Sequence, residues 1–212
     1  MTADDQVART RALFDDWARL GKGERMERSH SPAARLSFAL LDLKPGQRYL
    51  DVGCGSGYTV RWAAAVDPSV EAVGLDVSPE MITLARRLAV DVPNAAFHLG
   101  VFPDDAPDGP FDAIFSMEVF YYLPDLDGAL AAVHGLLRPG GRFVCVVDFY
   151  AENVESAPWP EQLDLPMNRL SMAGWKGAFE AAGFAAIQQD RLVVDGGLAA
   201  GSLMTTGRRR GL

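Results

Sequence analysis

Residues 49–58, which read Tyr-Leu-Asp-Val-Gly-Cys-Gly-Ser-Gly-Tyr, decide the fold of this chain. Their first four residues form a short and mostly apolar run, which predicts a buried parallel strand, and a helix is predicted to begin near Tyr58. Three glycines alternate with other residues in between: Gly53, Gly55 and Gly57. Glycine permits positive φ and lets a ligand approach the backbone, while the N-terminus of the following helix favours an anion such as a carboxylate. This pattern therefore predicts a ligand-binding turn between a strand and a helix.

Two acids strengthen this prediction. Asp51 ends the first strand, and Asp76 ends a second apolar run at residues 71–76, 19 residues beyond Gly57. An acid at the end of the second strand of a βαβ unit is placed to accept hydrogen bonds from the two hydroxyls of a ribose. The spacing indicates nucleoside recognition and leaves the ligand open.

Four segments resemble the class I S-adenosylmethionine-dependent methyltransferases, in particular small-molecule enzymes with a methyltransferase type 11-like domain. They are LDVGCGSGYT at 50–59, VGLDVSPEMITLAR at 73–86, FDAIFSMEVFYYL at 111–123 and LLRPGGRFV at 136–144. The glycine pattern is the G-x-G-x-G of that family. The dinucleotide fingerprint is G-x-G-x-x-G, and Tyr58 stands where its third glycine would fall. The resemblance is good over residues 45–150 and looser beyond them.

The resemblance implies a site for S-adenosyl-L-methionine, with S-adenosyl-L-homocysteine as the product. The glycines would line its methionine part, Asp51 would lie near the amino group, Asp76 would hold the ribose, and Val77 and Met81 would flank the adenine. Many relatives carry an acid at the position of Val101. The full set of cofactor residues that we expect is Asp51, Gly53, Cys54, Gly55, Gly57, Asp76, Val77, Met81, Gly100, Val101, Phe102, Ser116 and Met117.

Catalytic and acceptor-binding residues are expected at strand ends and in the segments that flank the crevice. Methyl transfer from a sulfonium is an in-line displacement with a neutral leaving group, so a base is needed only for a protonated nucleophile. The catalytic candidates are Glu118, Tyr121, Asp148 and His30. The substrate-binding candidates are Trp17, Tyr122, Tyr150 and Trp159. No cysteine or histidine spacing indicates a metal site.

Strands that alternate with helices predict an α/β fold of the Rossmann-like, doubly wound type. We expect a mostly parallel seven-stranded sheet, one antiparallel edge strand, and N-terminal lid helices at residues 1–44 packed on a methyltransferase domain at 45–212. Residues 4–20 should form a helix, 24–30 a polar loop, and Ser31-Pro32 the start of a second helix. Residues 150–170 should form a long irregular loop, followed by a helix and an antiparallel pair of strands.

Composition narrows the classes of partner. The formal net charge of 212 residues is −8, which disfavours nucleic acid and anionic membranes as partners. We expect a cytoplasmic protein with free thiols, because the chain has two cysteines, an acidic N-terminus and no long apolar run. We also expect a monomer or homodimer. Two alternatives to a small-molecule methyltransferase stay open: an NAD-type oxidoreductase, and an accessory protein that binds S-adenosylmethionine without turnover.

Overall fold

A seven-stranded β-sheet forms the centre of the computed structural model, which describes residues 2–211. The strands are β1 (Arg48–Val52), β2 (Glu71–Asp76), β3 (Ala95–Leu99), β4 (Phe111–Met117), β5 (Leu137–Val147), β6 (Ala185–Leu192) and β7 (Ser202–Arg208). Their order across the sheet is β3-β2-β1-β4-β5-β7-β6. The first five strands pair in parallel, which confirms the predicted doubly wound sheet.

The antiparallel pairing also lies where it was expected, at the β6 end of the sheet. Strand β7 pairs antiparallel with both β5 and β6. The reversed strand is therefore β7, one place in from the edge, and β6 is the edge strand itself.

Seven α-helices accompany the strands within residues 2–211. They are α1 (Ala3–Arg19), α2 (Lys22–Phe38), α3 (Tyr58–Ala64), α4 (Pro79–Leu88), α5 (Leu126–Leu136), α6 (Trp159–Leu163) and α7 (Met172–Ala181). Local chemistry explains where several of them start. Side chains of Ser78, Asp125 and Ser171 each accept a hydrogen bond from the backbone N–H of the third residue of the following helix. None of the helices in this part of the chain is long and apolar enough to span a membrane.

The predicted polar loop at residues 24–30 is wrong, because these residues belong to the continuous helix α2. The same helix passes through Ser31 and Pro32, so this pair does not start a new one. Proline lacks the N–H that the carbonyl four residues earlier would accept, yet Pro32 is accommodated here. The Ser31 hydroxyl donates to the Glu27 carbonyl at 2.5 Å. Small buried residues then let α2 lie close to the domain: Gly23, Ala33, Ala34 and Ser37.

The prediction for residues 150–170 is only partly right. The segment contains a single 3-10 turn at Val154–Ser156 and the short helix α6 at Trp159–Leu163, with irregular backbone around both. Asn153 ties this segment to the sheet, because its side-chain amide donates to the Asp148 carbonyl at 2.7 Å.

Two hydrophobic cores lie on opposite faces of the sheet. Successive strand side chains point to opposite faces, and β5 shows this directly. Phe143, Cys145 and Val147 pack in the core that contains α5 and α7. Val144 and Val146 pack in the core that contains α3 and parts of α2 and α4. Both faces are thus covered, and the carboxyl ends of the parallel strands remain for a site.

Helices α1 and α2 reach across these carboxyl ends. On α1, the Gln6 side chain donates to the Tyr122 carbonyl after β4 at 2.8 Å, and Arg11 donates to the Val77 carbonyl after β2 at 3.1 Å. Asp15 accepts from the Ser78 hydroxyl at 2.5 Å. These contacts place α1 over the loops that follow β2 and β4.

Candidate cofactor and acceptor sites

A cleft opens at the carboxyl ends of β1, β2 and β4, beneath α1 and α2. Residues of the glycine-rich turn and of the loops after β2, β3 and β4 line it. Eleven of the thirteen residues expected to bind the cofactor lie on its walls: Asp51, Gly53, Cys54, Gly55, Asp76, Val77, Met81, Gly100, Val101, Phe102 and Met117. The cleft therefore gathers residues from four separate strand ends, as the doubly wound topology requires.

Gly57 and Ser116 do not line this cleft. Gly57 lies behind the turn as the N-cap of α3, and a Cβ there would come within 2.4 Å of the Phe97 ring. The Ser116 hydroxyl is buried and donates to the Val52 carbonyl at 2.7 Å. Gly57 and Ser116 therefore stabilise the turn and the neighbouring strand and do not contact the cleft.

The turn itself depends on glycine. Gly53, Gly55 and Gly57 all have positive φ, between 51° and 75°. A Cβ on Gly53 would lie 2.2 Å from a methyl carbon of Val119, so both the backbone conformation and the space exclude a side chain. The backbone consequently stays bare on the side that faces the cleft.

Asp76 joins the second strand to the glycine-rich turn. One carboxylate oxygen accepts from the Gly55 N–H at 2.8 Å and the other accepts from the Ser78 N–H at 2.9 Å. Each oxygen keeps a second lone pair for a ligand hydroxyl. Burial raises the pKa of Asp76 to about 6, against the lowering effect of these backbone hydrogen bonds.

Asp51 is buried at the end of β1 and accepts a hydrogen bond from the Thr59 hydroxyl on α3. Burial raises the pKa of Asp51 to about 7, although the Thr59 hydrogen bond lowers it. Both acids thus lie in a setting that disfavours their charged forms and that a cationic ligand would relieve.

The charge of the cleft is one-sided. Its walls carry four carboxyl groups, from Glu27, Asp51, Asp76 and Glu118. Within residues 2–211, no lysine or arginine is among the residues that line it. A pyrophosphate would meet repulsion here, whereas a sulfonium, an ammonium and a ribose diol would find acceptors. These acceptor groups therefore fit S-adenosylmethionine better than a dinucleotide.

A second cavity of about 290 Å³ adjoins the cleft. Aromatic rings wall most of it: Phe14 and Trp17 from α1, Tyr121 and Tyr122 from the turn after β4, and Trp159 from α6. The boundary between the two spaces consists of residues that line both, namely Phe14, Met26, His30, Glu118 and Tyr122. Three of the four predicted substrate-binding residues lie on this wall: Trp17, Tyr122 and Trp159.

Tyr150, the fourth of these, is buried elsewhere. Its hydroxyl donates to the carbonyls of Ala200 and Gly201, 3.0 Å from each, and it lines neither cavity. Its position is that of a brace between the segment after β5 and the start of β7.

Glu118 stands at the boundary of the two spaces in a strained conformation, with φ at +62°. One carboxylate oxygen accepts from the Tyr121 hydroxyl at 2.8 Å and the other accepts from the Asp148 N–H at 2.5 Å. Burial, and then repulsion from Asp148, raise the pKa of Glu118 well above its ordinary value, against these two hydrogen bonds.

His30 and Asp148 lie next to this group. Burial lowers the pKa of His30, and the neighbouring Asp148 acts in the opposite direction. Burial also raises the pKa of Asp148, against a Ser202 hydrogen bond and His30. One oxygen of Asp148, Oδ1, is buried without a hydrogen-bond partner. The four predicted catalytic residues are therefore neighbours, although Asp148 does not line either cavity.

Several residues of the site were not among those predicted. Glu27 accepts from the Ser56 hydroxyl at 2.8 Å and from Arg61 at 3.0 Å, and Arg61 also donates to the Ser56 carbonyl at 2.6 Å. This cluster fastens α2 to the glycine-rich turn. Asp105 accepts from the Val101 N–H at 2.8 Å, which brings a carboxylate to the loop where many relatives have an acid. Recognising α2 as one helix would have pointed to Glu27, since its position then faces the turn.

Comparisons with known proteins agree with this geometry. The Methyltransf_12 family model, described as a methyltransferase domain, matches residues 50–143. A chain in the complex between the Haloferax volcanii Trm112 methyltransferase activator and a proposed methyltransferase is 32% identical, with a TM-score of 0.85, over 93% of this chain and 97% of that one.

Two curated relatives show how far the likeness extends. Trans-aconitate 2-methyltransferase of Methylobacterium radiotolerans is 34% identical over 67% of this chain and 48% of its own length. The tRNA U34 carboxymethyltransferase of Methylococcus capsulatus is 36% identical over 52% of this chain and 34% of its own length. The match therefore spans less than half of either relative.

The chain belongs to the class I S-adenosylmethionine-dependent methyltransferases. The cofactor of this class is S-adenosylmethionine, in agreement with the carboxyl-lined cleft. Among residues 2–211, no group of three or more histidine, cysteine or acidic side chains is arranged to hold a metal ion.

Proposed function

We infer that this chain transfers a methyl group from S-adenosylmethionine to a small-molecule acceptor. The observation that carries the proposal is the aromatic cavity of about 290 Å³, which shares a boundary with the cofactor cleft. An acceptor in this cavity would lie next to the methyl group of a cofactor in the cleft. The volume of this cavity is near the lower end of the range of small-molecule pockets, which supports a small acceptor.

Residues of the cleft divide the cofactor among them in this proposal. Asp76 would hold the ribose hydroxyls, Asp51 and Glu27 would face the cationic end of the methionine part, and Val77 with Met81 would flank the adenine. When bound, the cofactor supplies an electrophilic methyl group on a positively charged sulfur. Residues 1–44 would then serve as the lid, because α1 and α2 close the cleft from above.

The chain contributes alignment, a closed environment and a site for a proton. Alignment in a water-poor cavity lowers the barrier of an in-line displacement, because the reacting atoms no longer need to find each other. Glu118 and His30 lie at the boundary of the cleft and cavity, where a proton leaving the acceptor would be taken up. Tyr121 holds the Glu118 carboxylate in place. Asp148, the fourth catalytic candidate, would act on the acceptor only through Glu118, to which its N–H donates.

A binding measurement followed by a screen tests the proposal. Calorimetry should show that S-adenosylhomocysteine binds and that Asp76→Ala weakens binding by about 1–3 kcal/mol, the cost of unpaired polar groups. Labelled cofactor should then transfer its methyl group to a component of a metabolite pool without a second protein. Binding without transfer to any pool would favour the alternative of a non-catalytic accessory protein.

A second candidate is a methyltransferase that works on RNA or protein together with an activator subunit. The likeness to the Haloferax volcanii chain favours it, since that chain was solved with the Trm112 activator. A tRNA-modifying enzyme is also among the relatives. Co-elution with a Trm112-type protein, and methylation of tRNA only in its presence, would support this candidate over the first. The oxidoreductase alternative is set aside by the family and by the acidic cleft.

A further inference from the structure

The aromatic cavity has a chemical character that narrows the acceptor, provided that the proposed methyl transfer holds. Tyr121 is its centre, with ring centroids 4.4 Å from Tyr122 and 6.5 Å from Trp159. Phe14 extends the wall from α1, 5.5 Å from Tyr122. These rings are set at angles of 47° to 89° to one another, and proteins surround organic cations with aromatic rings at several angles.

One acidic side chain lies at the end of this cavity that meets the cofactor cleft, and a second acid lies next to it outside the cavity. Glu118 lines the cavity. Asp148, just after the neighbouring strand β5, donates its N–H to Glu118, and its own Oδ1 is buried without a hydrogen-bond partner. His30 is the third titratable group there. No arginine or lysine is among the residues that line the cavity in the described chain; Lys22 lies outside it, stacked 4.9 Å from the centroid of the Trp17 ring.

This arrangement discriminates among acceptors. An anionic acceptor would meet the carboxyl group of Glu118 and find no lysine or arginine among the described lining residues to pair with. A purely apolar acceptor would leave the polar end of the cavity, at Glu118 and His30, without a ligand contact, which is costly. We propose that the cavity binds an aromatic or aliphatic amine as its ammonium ion, with the rings around the cation and Glu118 as its counter-ion, and that the amine nitrogen is the methyl acceptor.

The proton and the electron pairs of this methyl transfer can be followed through the site. The nearby ammonium favours the ionised form of Glu118, whose proton leaves to water as the amine binds. The bound ammonium then gives one proton to this carboxylate or to His30, which leaves a neutral amine with a free lone pair. The nitrogen lone pair then forms the new N–C bond to the methyl carbon, while the electron pair of the C–S bond returns to sulfur. The products are a methylated ammonium and a neutral thioether, and the transferred proton is released to water when the site opens.

Three probes with one skeleton and different charges test this inference: 2-phenylethylamine, 2-phenylethanol and 3-phenylpropionate. Each is titrated by calorimetry at pH 7.5 into the full chain saturated with S-adenosylhomocysteine. The amine should bind roughly tenfold or more tightly than the other two, on the scale of a desolvated cation–π and carboxylate contact. Equal or weaker binding of the amine, or no binding of any probe, would overturn the inference.

Two variants test whether the charge of Glu118, and not the shape of the cavity, selects the amine. Glu118→Gln keeps the size of the side chain and should lower the affinity for the amine about tenfold while leaving that for the alcohol unchanged. Glu155→Gln, an exposed acid on the neighbouring segment, is the matched control and should change neither. S-adenosylhomocysteine affinity is measured first for every variant. A chain that fails to bind it contradicts the proposed function, whereas a chain that binds it but does not prefer the amine contradicts this inference alone.

Discussion

Two aspartates at the ends of β1 and β2 titrate between about pH 6 and pH 7. Burial raises the pKa of Asp51 to about 7 and that of Asp76 to about 6, above the values of an unfolded chain. The folded protein without ligand therefore binds more protons than the unfolded chain, and these two groups contribute less to stability as pH rises from about 4 to 7. A ligand that needs the carboxylates must displace those protons.

The affinity for S-adenosylhomocysteine should consequently fall at acid pH. Because only the ionised Asp76 accepts from both ribose hydroxyls, the dissociation constant should rise about tenfold per pH unit below about 6. Calorimetry between pH 5 and 8 measures this profile. Asp76→Asn should bind more weakly at pH 8 and lose the part of the profile near pH 6. A dissociation constant independent of pH would remove Asp76 from ribose binding.

Gly53 should tolerate no side chain without a loss of stability. Gly53→Ala should lower the free energy of unfolding by about 1–3 kcal/mol, since the position combines positive φ with a contact that is too short. Denaturant titration measures the change. Gly46→Ala is the matched control, because Gly46 has the same φ of 75° but nothing within 4 Å of its Cβ position.

The double variant Gly53→Ala with Val119→Ala separates the two causes. Removing the Val119 methyl groups relieves the closest contacts, so the cost of Gly53→Ala in this background should approach that of Gly46→Ala. An unchanged cost would show that backbone conformation alone requires glycine at this position.

Among the elements, α2 shows best what the sequence determined and what it did not. Strands β1 to β5 could be predicted because each has an apolar run bounded by turn residues, and Ser78-Pro79 marks the start of α4 by local chemistry. The charged residues around Glu27 show no apolar stripe, and a proline such as Pro32 usually ends or kinks a helix, so the sequence did not predict α2 as one helix. Tertiary contacts supply what the local sequence lacks, as small residues pack on the domain and Glu27 binds Arg61.

The same physics limits how much of the site could be predicted. The glycines and Asp76 belong to a pattern with fixed spacing, so the cofactor cleft could be located from the sequence. The aromatic cavity joins Trp17, Tyr121 and Trp159, which lie far apart in the chain and meet only through the packing of α1 and α6. No local sequence pattern predicts that these residues come together. For the same reason Tyr150 was expected to bind substrate, although it lines neither cavity.

The cluster of Glu27 and Arg61 should hold α2 closed over the glycine-rich turn. Both side chains are mostly buried, at 26% and 20% exposure, so their pairing is less screened than a surface ion pair. Glu27→Gln should therefore speed hydrogen exchange of amides in the first half of α2 and weaken S-adenosylhomocysteine binding. Mass spectrometry of exchange measures the first effect and calorimetry the second.

The control for this prediction is an ion pair away from the site. Glu71→Gln removes the partner of Arg48, whose guanidinium lies 2.9 Å from Glu71, and should leave α2 exchange as it was. Exchange that is equally fast in both variants would mean that a general loss of stability, and not the Glu27 cluster, controls α2.

For the molecule as a whole, helices at the N-terminus and the long segment after β5 enclose a ligand between them and the sheet. Helix α1 has no buried residue, and it contacts the loops after β2 and β4 partly through hydrogen bonds at half-exposed positions. Elements held in this way open more easily than the sheet. Bound S-adenosylhomocysteine should thus slow exchange in α1, α2 and residues 150–170 more than in α5 or α7, and equal protection with and without ligand would count against a mobile lid.

The acidic cleft also makes a prediction about which nucleoside ligands stabilise the fold. A ligand that binds only the folded state at 100 times its dissociation constant adds about 2.7 kcal/mol, which for a chain of this length raises Tm by roughly 5–11 °C. S-adenosylhomocysteine should produce a rise on this scale in differential scanning fluorimetry. NAD should produce none, because its pyrophosphate would face the carboxyl groups of Asp51 and Asp76 without a lysine or arginine among the lining residues described. Adenosine serves as the control that shares the ribose and base, and a rise with NAD equal to that with S-adenosylhomocysteine would mean that the glycine-rich turn accepts a pyrophosphate after all.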